Sequence, residues 1–444
     1  MEEQQKKSIN YFLVAQGFNQ SYTNVIFGGL LTLFFLKIGI REILLGIIAI
    51  LSPIIGVLSI FSIYTLQKKN QKCIYGSAFV MAILGFLLLP IFFLPGKSGY
   101  STLVIYCFAF LIIYLIANQI FSIVFFPTVT NLVPEKERGV FFGRLRFLIM
   151  FLTFVLFYLT YKILGKNSDY MEFFWIFLIL ALLQTIAPWF FKKINYGVPP
   201  QSTEIKRFEL FEGLKTIFST KNFRRFFYLL FVNTFLGGLV GPFLIPFLKL
   251  HLGVSSSFCI LLQSVSILGF AVSTYIWGKI NDSRGSRFVL FSALLYIPVF
   301  WLTLSQLKFI PKLYIPHLLI GLFFLSGISN AGYLMATSTR RMALAPVSKS
   351  FSFYSQLMIF GEQFPIIISS PLAGFIIQKN KYFSIGPYTI YPLLFIFTTF
   401  ASVYLLFETM RMEPLKERAL KEIFTEVIYH NLMRIKTIIA APPF

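Results

Sequence analysis

The sequence predicts an all-α polytopic membrane protein whose twelve transmembrane helices form two pseudo-symmetric six-helix bundles. Three observations carry this reading. Of 444 residues, 57% are hydrophobic and only 13% charged, about half the roughly 25% charged share of a soluble domain. The apolar residues gather into runs of spanning length, roughly 20 residues each. Polar landmarks then recur in the second half at nearly one offset.

The runs fall at 10–38, 42–66, 73–94, 102–126, 140–163 and 171–191, then at 226–249, 256–280, 288–309, 314–338, 352–377 and 388–408. The segments between them define the organisation. Residues 1–191 form an N-terminal bundle, 192–225 a central loop, 226–408 a C-terminal bundle and 409–444 a tail. The first residues, MEEQQKKSI, are polar and no small-residue cleavage site follows, so the first run is expected to stay as a span. Cys73, Cys107 and Cys259 are scattered in apolar surroundings and read as small buried hydrophobes. No metal or cofactor is expected.

A net charge of +22 would suggest nucleic acid in a soluble protein. Here it tests topology instead. With both termini and the even-numbered loops on one side, the other side holds Lys37, Arg41, Lys97, Lys162, Lys166, Lys249, Lys308, Lys312, Lys379 and Lys381, only ten of the 39 basic residues. The positive-inside rule makes the richer side cytoplasmic, termini included. No nucleic-acid partner is needed; anionic lipid meets that charge.

The repeat rests on three pairings. Asn19 precedes Gly39 as Asn233 precedes Gly253. Asn118 precedes Pro134 as Asn330 precedes Pro346. Lys69-Asn70-Gln71-Lys72 after the second run matches Arg284-Gly285-Ser286-Arg287 after the eighth. All three shifts lie near 214 residues, which indicates a duplicated six-helix unit. Outside the runs, Phe208, Phe211, Leu214 and Phe218 suggest a surface helix in the central loop. Leu420, Ile423, Phe424, Val427 and Ile428 make the tail amphipathic.

The loop after the eighth run reads Gly278-Lys279-Ile280-Asn281-Asp282-Ser283-Arg284-Gly285-Ser286-Arg287. Gly278 would permit close helix approach, Gly285 a tight reversal, and Asp282 can answer Arg284 and Arg287. Before the fifth run stands Pro134-Glu-Lys-Glu-Arg138-Gly139-Val-Phe-Phe-Gly143-Arg144. In these loops the chain resembles the major facilitator superfamily, particularly a poorly characterised bacterial group. In the first half the same loop has lost its glycine and acid. The resemblance implies that the loops hold the two bundles together on the cytoplasmic side and open and re-form during transport. It also implies a bacterial inner-membrane location and a central cavity lined by the first, fourth, seventh and tenth helices.

Polar side chains inside the membrane are costly and usually face a cavity. Glu362 is the one acidic residue placed mid-span, beside Gln363, and no Lys or Arg accompanies it there. Desolvation disfavours its charged form, which suits a carboxyl that exchanges a proton; the alternative is a permanently protonated structural Glu. Gln16, Asn19 and Gln20 in the first run, where Asn24 also lies, with Asn118 and Gln119 in the fourth, Asn233, Gln263 and Asn330, complete the expected cavity set. Any of them could instead bond a neighbouring helix. Gln184 in the sixth run does not fit the cavity pattern.

Gly237, Gly238, Gly241, Pro242 and Pro246 can break the seventh helix and make it a bending gate or a static kink. The expected function is transport of a small neutral, cationic or amphiphilic solute by alternating access, with possible proton coupling, by a monomer in contact with membrane lipids. A channel, a lipid scramblase or a polytopic enzyme are the alternatives. The enzyme is disfavoured because His251, His317 and His430 stand apart, and no phosphate-binding loop points to ATP.

Overall fold

The computed structural model describes residues 3–58, 70–92, 100–133, 138–165, 168–195, 219–344, 351–380, 384–385 and 388–413. The central-loop and tail helices expected around 208–218 and 420–428 lie outside the described residues, as does the Pro134–Glu137 turn.

Helices follow the apolar runs closely. The first run is α1 (Glu3–Val25) and α2 (Leu31–Lys37), joined by a π-helical turn, Ile26–Leu30. Then come α3 (Glu42–Leu58), α4 (Asn70–Leu87), α5 (Tyr100–Leu132) and α6 (Arg138–Ile163). The sixth run is α7 (Tyr170–Gln184) with α8 (Ile186–Lys192). The second half contains α9 (Lys221–Val240), α10 (Ser256–Arg284), α11 (Ser286–Ser305), α12 (Ile315–Leu344), α13 (Phe351–Lys379) and α14 (Ile390–Arg411). A two-residue hairpin, β1 (Ser384–Ile385) with β2 (Tyr388–Thr389), precedes α14. Among the described residues, 10 helices are long and apolar enough to cross a membrane, and Ile43–Leu58 is a shorter apolar helix. The chain is a multi-pass integral membrane protein.

The helices pack as two groups, α1 to α8 and α9 to α14. Two seams join them: α3 lies against α13 and α6 against α10. Lipid offers no hydrophobic drive for helix association, so close approach and polar contacts supply it. At the first seam, a Cβ on Gly46 would stand 2.7 Å from the Ser370 carbonyl oxygen. Within the second group a Cβ at Gly327 would collide with the Ser266 carbonyl, and one at Gly269 with that of Phe324, so α12 and α10 cross backbone to backbone. Hydroxyls finish the joints. Ser21 Oγ donates to the Ile149 carbonyl at 3.0 Å, Ser370 Oγ to that of Gly238 at 2.9 Å, and Ser329 Oγ to that of Ala293 at 2.8 Å.

One end of the structure gathers the start of α1 and the close of α14. Gln5 Nε2 donates to the Leu132 carbonyl and Asn195 N–H to Ser8 Oγ. In the second group Asn222 meets Glu413, while Arg225, Arg287 and Arg340 donate to the carbonyls of Arg411, Met410 and Glu413 at the close of α14. A helix C-terminus carries unsatisfied carbonyls and partial negative charge, which guanidinium groups answer well. The start of α6 lies beside the finish of α10 in one crevice, so both groups present their termini at the same end.

Gly46→Val should loosen the first seam. Overpacking of this kind costs about 1–3 kcal/mol, seen as a lower thermal unfolding midpoint in detergent. Gly76→Val, where a Cβ meets nothing within 4 Å, should leave the midpoint unchanged.

Candidate functional site

Glu362 lies eleven residues into α13, roughly 16 Å along its axis at about 1.5 Å per residue. It is not without a basic companion. Arg341 Nη2 of α12 pairs with Glu362 Oε1, and both side chains keep about a fifth of their surface exposed, 21% and 19%. The tenth run was expected to end at 338, leaving Arg341 in a loop; α12 instead continues to Leu344 and carries it to the carboxylate. The cause is local sequence: Ala336-Thr-Ser-Thr-Arg-Arg-Met-Ala-Leu344 is polar enough to end an apolar run yet contains no Gly or Pro to end a helix.

Around this pair the second half assembles a polar cluster. The Tyr333 hydroxyl lies beside Asn233, Glu362 and Arg341. Asn233 donates to the Tyr333 oxygen, while the Tyr333 O–H and Arg341 Nε are buried without an acceptor. Asn330, Tyr333, Thr337 and Arg341 recur at three- and four-residue steps, so one face of α12 carries them all. Asn330 is exposed, the most open of the expected cavity asparagines. Gln363 is half-buried and faces α3, its Cγ 3.5 Å from where a Cβ on Gly56 would stand.

The first half departs from expectation. Asn19 is fully buried, and its Oδ1 accepts a 2.8 Å hydrogen bond from Gln184 Nε2 of α7. Gln16 is likewise buried, at 5% exposure. Asn19 therefore joins α1 to α7, and Gln184 is there because Asn19 needs a partner away from water. What remains toward the interior is a half-buried chain: Gln20 Nε2 donates to Asn24 Oδ1 at 3.1 Å, and Asn24 Nδ2 to Thr153 Oγ1 of α6 at 3.3 Å. Asn118 and Gln119 are half-buried on α5.

The first and seventh runs are both broken. The expected break in the seventh run is real: a 3₁₀ turn at Gly241–Phe243 and a π turn at Phe247–His251 follow α9. A matching break in the first run has Gly28 at φ −78°, ψ 16° and Gly29 at φ 129°, ψ −22°, the latter a conformation suited to glycine. The shift from Gly28 to Gly241 lies between those of the two repeated asparagine pairs, a signal the sequence offered. The breaks touch: a Cβ on Gly29 would lie 2.5 Å from Ile245 Cδ1 and 3.8 Å from Gln263 Cγ. Nearby, Ser168 Oγ and Ser256 Oγ stand 3.0 Å apart across the two groups. The groups therefore meet at the end opposite the termini. Toward the termini, α1 makes no extended packing with α9, nor α5 with α12, among the described residues.

The loop residues follow a different pattern from the one expected. Asp282 does not answer Arg284 or Arg287 and makes no ion pair among the described residues. Arg284 lies 5.4 Å over the Phe288 ring, and Arg287 is drawn to the α14 carbonyls. Asp282 turns instead into a crevice of about 460 Å³ between α6 and α10, shared with Gly143, Arg146, Gly278 and Lys279. Gly278 gives no close backbone approach, since Met335 Cε is 3.9 Å from its Cβ position. Gly285 does make the reversal, at φ 85°. Arg138 and Gly139 open α6, and the side chain of Arg138 lies outside the described residues. No three His, Cys, Asp or Glu side chains gather to hold a metal among the described residues.

No sequence-family profile and no curated protein sequence matches the chain. Solved structures do. A nucleoside transporter, NupG, superimposes with a TM-score of 0.66 at 12% identity, over 94% of this chain and 100% of its own. A D-xylose–proton symporter does so at 0.67 and 13%, over 93% and 98%. A bacterial homolog of the human lysosomal transporter Spinster, inward-facing and unoccupied, does so at 0.58 and 13%, over 93% and 96%. The fold is that of the major facilitator transporters.

Replacing Gln184 by Leu should strand Asn19 and lower stability by about 1 kcal/mol. Adding Asn19→Leu should recover most of that in a thermal scan. Solute uptake by the double variant should persist; its loss would return Asn19 to the cavity.

Proposed function

We propose that the chain is a secondary transporter that carries a small solute across the membrane by alternating access, with Glu362 as its proton-coupling group. The observation that carries this reading is the Glu362–Arg341 pair, partly open and set among helices that part toward one end and close at the other. A rigid structural pair would serve as well buried completely, whereas a coupling group needs water on one side at a time. That a D-xylose–proton symporter shares the fold supports proton linkage.

In this reading residues 1–191 and 226–408 act as two bundles, with the loop 192–225 and the tail 409–444 in the cytoplasm. The basic-residue bias then makes the open end cytoplasmic, and the described state faces inward. Asn233, Gln263, Asn330, Gln363, Gln20, Asn118 and Gln119 contact solute. The touching breaks at Gly28–Gly29 and Gly241–Pro242 form the outer gate. When the inner end closes, Asp282 moves onto Arg146 across the crevice they share, and the α6–α10 seam latches. The expectation of a neutral or cationic solute rested on the lack of a basic side chain near Glu362, and Arg341 removes that premise.

Two measurements test the proposal. In proteoliposomes, Glu362→Gln should abolish accumulation driven by a pH gradient while solute exchange continues. Unchanged accumulation would dismiss the coupling role. Ser168→Cys with Ser256→Cys, in a chain whose native cysteines are replaced, should cross-link under mild oxidation and stop saturable uptake until reductant is added. Uptake that continues through the cross-link, or an ohmic current in its place, rules out alternating access at this gate.

A further inference from the structure

We infer that the Glu362 site takes a solute bearing one carboxylate, as a monocarboxylate anion or a zwitterion, and takes it together with a proton. The inference rests on the reading of Glu362 as the coupling group and names what that group couples to.

The argument is one of donors and acceptors. The ionisable groups facing Glu362 among the described residues are Arg341 and Tyr333, both from α12; α9 faces the cluster with Asn233, and α3 meets the neighbouring Gln363 at Gly56. Arg341 uses one nitrogen on Glu362, and its Nε is buried with no partner. The Tyr333 oxygen accepts from Asn233, which leaves its buried O–H without an acceptor. Two donors thus converge on a place where the single carboxylate already serves a third. A buried donor left unmade is costly, so the cluster is built for one more acceptor than the chain supplies.

Charge points the same way. With Glu362 ionised, the pair is neutral and holds itself shut. When water in the cavity gives a proton to a Glu362 oxygen, an O–H forms and that carboxyl becomes a donor. The Arg341 guanidinium then stands as an uncompensated cation, a strongly disfavoured state. An incoming carboxylate resolves it. The guanidinium fork accepts carboxylates in a two-point geometry, and Tyr333 O–H and protonated Glu362 lie near enough to donate to the same group. Proton and anion enter with no net change of charge. On the other side of the membrane the solute leaves, the Glu362 proton returns to water and the Arg341–Glu362 pair re-forms. A neutral solute would leave Arg341 uncompensated, and a cation would add to it.

The experiment uses the purified full chain and a panel of small monocarboxylates and amino acids, each beside its methyl ester, together with sugars and nucleosides. A carboxylate should raise the unfolding temperature where its ester does not, and Arg341→Gln should erase the shift. Its affinity should tighten roughly tenfold for each pH unit lowered, as uptake of one proton requires. In Glu362→Gln, which mimics the protonated carboxyl, affinity should be high and flat with pH. Should Arg341→Gln fail to fold, the pH slope in wild type against Glu362→Gln decides alone. The inference is overturned if a sugar or nucleoside stabilises while no carboxylate does, if nothing in the panel stabilises, or if the slope survives in Glu362→Gln. In the first of these cases, gradient-driven uptake of that neutral solute that Glu362→Gln abolishes would keep Glu362 as the coupling group and discard only the carboxylate; uptake untouched by Glu362→Gln discards both.

Discussion

Inside a bilayer no water is at hand to complete a hydrogen bond, and the structure is arranged around that constraint. A polar side chain in a span is costly unless it bonds its own helix, bonds another, or reaches a wet space. Ser21, Ser329 and Ser370 take the second course and so join helices that apolar contact alone would not hold. Asn19 and Gln184 take it together. Glu362, Arg341, Tyr333 and Asn233 cannot all be satisfied among themselves, which is why this cluster differs in kind from the serine joints around it.

The same constraint accounts for the broken helices. An unwound turn frees backbone groups that lipid cannot satisfy, so breaks survive only against protein or a cavity. Here each break lies against the other group. Gly29 abuts Ile245 and approaches Gln263, while Phe243 reaches Gly46 of α3. The two irregular turns shelter one another at the end where the groups touch. Two copies of one unit would place equivalent weak points in equivalent helices, and the positions of Gly28 and Gly241 agree with that origin.

Much of the architecture was legible in composition and periodicity because the membrane imposes a length on each apolar run. The order of the helices in the described residues needed little more than counting apolar runs, and the position of Glu362 within α13 followed from it. What stayed hidden was direction around each helix. Asn19 and Asn233 occupy repeat-related positions, yet one points at α7 and the other toward the Glu362 cluster. Run-counting also misplaced Arg341, since hydropathy falls before the helix does. The three- and four-residue spacing from Asn330 through Tyr333 and Thr337 to Arg341 was in the sequence and would have found it. The partners of Asp282 depend on how two distant helices splay, and no local pattern encodes that.

The three arginines that close on the last turn of α14 have a mechanical consequence. They come from α9, from the start of α11 and from α12, and all end on carbonyls within Met410–Glu413. Like stays gathered at one mast, they bind four helices of the second group at the end where the two groups part. A helix so tied cannot swing alone without breaking a charge-assisted bond. In the alternating access proposed above, these ties favour movement of the group as one piece about the opposite end, where the broken turns lie in contact. A displacement of an ångström at the fulcrum becomes several at the tied end, because the helices between them are some 30–45 Å long.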